Sequence, residues 1–267
     1  METTPQSVLE TFERNRQAVR DLLHFDEIVL KLVMHNLEAL NERWKKYLRR
    51  ESPNPVKVNP KYTADDLLKL VTNIRDNDSL GGQYRAMHNQ CLVLLVSFFS
   101  SSTRALFRAL VVKELQSSNA QILRERLQFT VADLCADEPP LSELVADALE
   151  ESKNISFQDM KGIGRGFQTV LGKEPVRDSE VNDIIVAQAC RHAIVHAESR
   201  ADERLLKQIA SANPRQLKQD FVLRQEITFT EEEIELVGDR MTSYLTKISR
   251  FANQPEQLRG QYTAIDK

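Results

Sequence analysis

CLVLLVSFF, residues 91–99, is the most apolar run in the chain. Apolar residues continue on both sides of it at helical spacing and predict one long helix over residues 84–115. A helix that is apolar on most of its faces lies inside a core, and the other helices pack around it. The run is too short to cross a bilayer and is followed by SSSTR, so the chain is expected to be soluble and cytoplasmic.

Capping patterns and apolar periodicity predict further helices on both sides of this one. Thr4 followed by Pro5 is a typical helix start, and Thr230 with Glu233 forms a capping-box pattern. Residues 221–229 are expected to be extended. The predicted helices cover residues 4–23, 26–48, 63–74, 178–196, 201–212 and 230–251, with weaker periodicity over 120–134 and 141–152. We therefore predict an all-α protein, with a helical extension over residues 1–80 and a helical bundle over residues 81–267.

The composition supports helix and points to no global charge-driven function. The 267 residues include only 8 glycines and 9 prolines, and 41% are hydrophobic, so a sizeable core can form. The formal net charge of −3 does not mark a nucleic-acid binder, although a local basic surface is allowed. Cys91, Cys135 and Cys190 are far apart and fit small buried residues in a reducing compartment. No cofactor, signal peptide or membrane partner is expected.

The hexapeptide Arg191-His192-Ala193-Ile194-Val195-His196 carries the residues most suited to chemistry. On a helix, His192 and His196 lie one turn apart on the same face, and Arg191 projects beside them. Imidazole titrates near neutral pH and can exchange protons with a ribose 2′-hydroxyl or a leaving 5′-oxygen. A guanidinium can bind the phosphate oxygens, so this set suits phosphodiester cleavage without a metal.

Two other interpretations of the two histidines remain open. Histidines at helical spacing are often hydrogen-bonded residues at the edge of a core. Two histidines at this spacing can also chelate zinc, with Glu198 or Glu203 as a third ligand. The sequence has neither a His-Glu-x-x-His motif nor a cysteine cluster, which disfavours the zinc site.

The hexapeptide resembles the signature of the HEPN superfamily. That signature is an arginine, usually followed by a polar residue, and a histidine after four to six intervening residues. Here Arg191 is followed by His192, and four residues separate Arg191 from His196. The helix order over residues 84–255 is also similar, with a long apolar early helix, a motif helix and a long final helix.

The resemblance implies a metal-independent endoribonuclease. His196 would be the general acid or base, Arg191 would bind the phosphate, and His192 would orient the phosphate or the catalytic histidine. Two copies of the motif would face each other in a homodimer, and cleavage would leave a 2′,3′-cyclic phosphate. Such proteins commonly act as toxins or in phage defence, which implies an antitoxin or another regulatory partner. Other relatives are non-catalytic modules for dimerisation, nucleotide binding or protein binding.

Two basic or glycine-rich stretches are candidates for RNA contact. GIGRG, residues 162–166, lacks the spacing of a phosphate-binding loop and is expected to be a turn or a helix break. The cations Lys161, Arg165 and Arg200 could nevertheless contact RNA. Seven cations in residues 43–61, with two interleaved aromatic residues, could form an RNA-backbone patch, but they also fit the end of a helix.

Overall fold

The structure is a computed structural model in which the bounds of seven α-helices are described, and residues 35–40, within the predicted helix over 26–48, are helical as well. It describes residues 3–25, 29, 32–33, 35–40, 42–43, 69, 81–117, 122, 125–129, 141–172, 177–218 and 220–253. The helices are α1 (Pro5–Leu23), α2 (Gly81–Leu115), α3 (Leu141–Ser152), α4 (Met160–Leu171), α5 (Ser179–His196), α6 (Glu203–Ile209) and α7 (Glu231–Asn253). No strand occurs in these ranges, where the one β-bridge joins Arg200 and Glu226. The expected all-α class is confirmed.

Helix α2 is the central helix, as its composition predicts. It contacts α1, α3, α4, α5 and α7, so several of its faces are covered. Its largest fully buried side chains are Leu92, Leu95, Phe99, Leu106, Phe107 and Leu110. Among the described helices, α2 is the only one that is long and apolar enough to cross a membrane. However, 56% of its most apolar stretch is buried within the molecule.

Helix α1 packs against α2 and α7 and contributes to the same core. Thr4 caps it as predicted, and the hydroxyl of Thr4 accepts a hydrogen bond from the Ser7 backbone N–H. The guanidinium of Arg16 is buried against α7, where it pairs with Glu235 and Asp239. The predicted boundary of the extension at residue 80 lies outside the described residues, but its first helix is part of the bundle.

Helix α5, which carries the hexapeptide, is fixed at its start by a cap, by hydrogen bonds and by an ion pair. Asp178 caps it by accepting a hydrogen bond from the Val181 N–H. Asp183 is fully buried and accepts hydrogen bonds of 2.8 Å from the backbone N–H groups of Gln216 and Leu217. These bonds tie α5 to the segment after α6, and Lys247 of α7 binds Asp178 as well.

The last helix begins as its capping box predicts. The Glu233 carboxylate accepts from the Thr230 N–H at 2.9 Å, and the Thr230 hydroxyl accepts from the Glu233 N–H at 3.3 Å. The expected extended segment before it forms the single bridge at Glu226 and no strand. Helix α6 is shorter than the expected 201–212, and residues 125–129 are not helical.

The expectation of a turn or break at residues 162–166 is wrong. These residues lie inside α4, which runs from Met160 to Leu171 and ends at Gly172 with a left-handed φ of 73°. Packing requires glycine at position 162, because a Cβ there would lie 2.1 Å from the carbonyl oxygen of Ser156. Helix α4 can therefore approach Ser156 closely only because residue 162 has no side chain.

Candidate functional site at the end of helix α5

Arg191, His192 and His196 lie in the last two turns of α5. Arg191 and His192 are partly buried, whereas His196 is exposed. The ring centroids of the two histidines are 4.6 Å apart, as expected for residues one turn apart on one face. Within the described residues, none of the three side chains forms a hydrogen bond or an ion pair with a protein group. They are therefore available to a ligand.

A cavity of about 590 Å³ opens beside Arg191 and His192. Its walls come from α4, α5, α6 and α7 and from the segments next to them. His196 is not among the lining residues and lies outside, at the surface end of the motif. The lining comprises Gln158, Asp159, Met160, Lys161, Gly164, Arg177, Val181, Ile185, Gln188, Ala189, Arg191, His192, Arg204, Gln208, Ser211 and Tyr244.

The charges around this cavity are mostly positive. Its lining includes four cationic side chains, those of Lys161, Arg177, Arg191 and Arg204. The one carboxylate in the lining is Asp159, which already accepts a hydrogen bond of 2.8 Å from the Gly162 N–H as the cap of α4. The cavity is therefore suited to an anion, although the whole chain has a net charge of −3.

The surroundings of His192 favour its neutral form. Partial burial is the main cause that lowers the pKa of His192 below its usual value, and the positive charge of Arg204 is the next. His196 and Arg191 lower this pKa further, whereas Asp202 raises it. At neutral pH the His192 ring can therefore accept a proton or a hydrogen bond.

A buried glutamine of α5 also belongs to the cavity wall. Gln188 lines it, and the side chain is only 7% exposed. Its Nε2 atom has no hydrogen-bond partner within the described residues. A buried N–H donor without a partner costs free energy, so an acceptor from a ligand would remove this cost.

A second, smaller cavity of about 390 Å³ lies on the other side of Arg191. It is lined by Ser97, Ser100, Ser101, Arg104, Glu150, Ile155, Phe157, Gln158 and Arg191. Arg191 and Gln158 line both cavities, so the motif arginine stands between them.

The structure brings only part of the predicted RNA-contacting set together. Lys161 lines the larger cavity with Arg191 and His192. Arg165 does not, because its guanidinium donates hydrogen bonds to the carbonyl oxygens of Lys153 and Asn154. Arg200 is exposed beyond the end of α5 and lines neither cavity.

The sequence-based prediction missed most of the cavity lining, including the polar side chains of Arg177, Gln188 and Arg204. Arg177 precedes α5, Gln188 lies one turn before the hexapeptide, and Arg204 is on α6. No motif links them, since only the packing of α6 against α5 places Arg204 near His192. The basic run over residues 43–61 falls outside the described residues apart from Arg43.

No third zinc ligand accompanies His192 and His196 among the described residues. No group of three or more histidine, cysteine, aspartate or glutamate side chains is arranged for a metal in the part of the chain that the structure covers. Glu198 and Glu203 therefore do not complete a site with His192 and His196. Cys91 and Cys190 are buried and free, and burial raises the pKa of Cys91 to about 11, so it is an unreactive thiol.

Comparison of the chain with models of protein families, with curated proteins and with solved structures finds no significant match. The site consists of two adjacent imidazoles and an unpaired arginine at the rim of an electropositive cavity.

Proposed function

We propose that this chain is a metal-independent endoribonuclease of the HEPN type that acts as a homodimer. The observation that carries the proposal is the unpaired set of Arg191, His192 and His196 at one end of α5, beside an electropositive cavity. Each side chain has a role in phosphodiester cleavage that its chemistry allows. The motif spacing and the all-α architecture support the HEPN type.

The reaction needs one proton acceptor and one proton donor. A base takes the proton of the ribose 2′-hydroxyl as the 2′-oxygen attacks phosphorus. The bond from phosphorus to the 5′-oxygen then breaks, and an acid protonates that oxygen, which leaves a 2′,3′-cyclic phosphate and a 5′-hydroxyl. In the proposal, His196 exchanges these protons, Arg191 stabilises the charge on the phosphate oxygens, and His192 orients the His196 ring.

A dimer would supply both the acid and the base from two copies of His196. His196 is exposed at the end of α5, and Val195 beside it is 47% exposed. Val222 and Leu223 are also exposed and directly precede Arg224, whose backbone N–H binds the carbonyl of Ala201 at 2.7 Å. Apolar surface therefore flanks the chain segments around the motif, as a self-association surface requires.

The test is cleavage of labelled RNA by purified protein in EDTA. We expect the cleaved RNA to carry a cyclic phosphate, and His196→Ala to lower the rate by at least about 100-fold, the usual contribution of a general acid or base. His35→Ala, which removes an exposed histidine remote in sequence from the motif, is the control and should cleave normally. Absence of cleavage, inhibition by EDTA, or full activity of His196→Ala would refute the proposal.

The alternative is a non-catalytic module that dimerises or binds a nucleotide or protein. Expression in cells separates the two, because an active ribonuclease should slow growth as a toxin or phage-defence effector does. The His196→Ala variant should then be harmless. If both proteins are equally harmless and Arg191→Ala disrupts assembly instead, the alternative holds.

A further inference from the structure

The larger cavity holds more positive charge than the motif by itself requires. Beyond Arg191, it is lined by Lys161 of α4, Arg177 before α5 and Arg204 of α6. Like charges brought together from three segments repel one another, which costs stability unless an anion is bound. Lys161 and Arg204 form no ion pair or hydrogen bond through their side chains within the described residues.

Arg177 is held in place for binding. Its Nη2 donates to the carbonyl and the hydroxyl of Ser211 at 2.7 and 3.1 Å, and its Nε donates to Asn182 at 3.3 Å. Its Nη1 has no bond among the described residues and belongs to a guanidinium at the cavity wall. A side chain fixed in this way loses little conformational entropy when it binds an anion.

The wall around Gln188 offers both a buried amide and apolar surface to a ligand. The Nε2 atom of Gln188 is buried and has no partner among the described residues, and the residue lines the cavity. The neighbouring wall is apolar, with Val181, Ile185 and Tyr244. A volume of about 590 Å³ is in the usual range for small-molecule sites and exceeds what a lone phosphate needs.

We infer that this cavity binds a nucleotide, with its phosphate on Lys161, Arg177 and Arg204 and its nucleoside against the apolar wall near Gln188. This phosphate is distinct from the one that Arg191 and His196 would act on. The inference rests on the proposed function only in the choice of RNA as one source of the nucleotide. A free mononucleotide is the other source of the same chemistry.

The test uses the full chain and follows the His192 ring by NMR. Inorganic phosphate, AMP and a 2′-O-methyl RNA hexamer, which cannot be cleaved, are titrated separately. A bound phosphate adds negative charge near a ring that faces Arg191, Arg204, Asp202 and His196, so the pKa of His192 should rise. AMP should bind more tightly than inorganic phosphate, because the nucleoside adds contacts.

Two variants on one helix separate specific binding from net charge. Arg204→Ala should weaken AMP binding about tenfold, since a charge-assisted hydrogen bond contributes roughly that factor. Lys207→Ala removes the same charge from an exposed position of α6 outside the cavity and should bind normally. Equal affinities of the two variants, AMP binding no tighter than phosphate, or no shift of His192 with any probe would overturn the inference.

The probes also show whether the bound nucleotide belongs to an RNA strand or is a free mononucleotide. They separate this inference from the proposed function as well. A hexamer that binds at least tenfold more tightly than AMP indicates an RNA strand, and equal affinities indicate a free nucleotide. His196→Ala should keep AMP binding, because His196 lies outside the cavity. A protein that binds AMP but cleaves no RNA refutes only the proposed function, and one that cleaves RNA without binding AMP refutes only this inference.

Discussion

His192 shows how a residue acquires properties from its surroundings. Its spacing from His196 follows from the sequence, and the ring contact at 4.6 Å confirms it. Its lowered pKa does not follow from the sequence, because partial burial and Arg204 of another helix cause it. A lowered pKa keeps the ring neutral at physiological pH, which suits a hydrogen-bond acceptor that orients a catalytic group.

This pKa predicts how stability depends on pH. As pH falls through about 6.5, the ordinary pKa of histidine, the unfolded chain takes up a proton that folded His192 resists. The contribution of His192 to the free energy of unfolding is therefore complete above that pH and decreases below it, down to the folded pKa. Urea unfolding at pH 7.5 and pH 5.5 should show a smaller acid loss for His192→Gln than for the wild type.

His35→Gln is the matched control for this measurement. His35 is exposed, so its replacement should leave the acid loss as in the wild type. A His192→Gln variant that loses as much stability on acidification as the wild type would contradict the lowered pKa of His192.

At the scale of the element, the helices with local signals are predicted best. The predicted caps Thr4 and Thr230 are both in place, because a cap depends on residues within one turn of itself. The GIGRG segment of α4 is predicted wrongly. Glycine lowers helix propensity, and here the close packing of Gly162 on Ser156 overrides that propensity.

The packing of α4 gives a second prediction. Gly162→Ala places a Cβ 2.1 Å from the Ser156 carbonyl oxygen, so the helix must move. We expect a loss of about 1–3 kcal/mol in the free energy of unfolding, the usual cost of overpacking. Thermal and urea unfolding measure this loss. The displacement of α4 should also weaken ligand binding in the cavity, because Lys161 lies on α4.

Gly82→Ala serves as the comparison, since its Cβ would lie 4.0 Å from Arg85 Nη2, an ordinary contact. Alanine is also the better helix former, so this variant should be as stable as the wild type or more so. Equal stabilities of Gly162→Ala and Gly82→Ala would show that α4 does not pack as described.

For the whole molecule, the proposed cleavage depends on how two copies meet. Val195 lies between the two histidines and is 47% exposed. If the motif helices face each other, Val195→Arg buries an unpaired charge in the dimer and separates it. We expect light scattering to show monomers, RNA cleavage to be lost, and the melting temperature of the subunit to change little.

Leu141→Arg is the control for the charge itself, because Leu141 is 68% exposed at the first residue of α3. It should leave both assembly and cleavage intact. A Val195→Arg variant that assembles as the wild type does would place the dimer interface elsewhere.

The sequence by itself determined the helical class, the central position of α2, most helix starts, and the shared face of His192 and His196. These features depend on local propensity, capping and apolar periodicity, which residues within a few turns decide. Only the tertiary structure decided that Lys161, Arg177, Gln188 and Arg204 surround one cavity, while Arg165 is bound to loop carbonyls. Those residues belong to separate segments, and the packing of α4, α6 and α7 against α5 brings them together through contacts that no local pattern encodes.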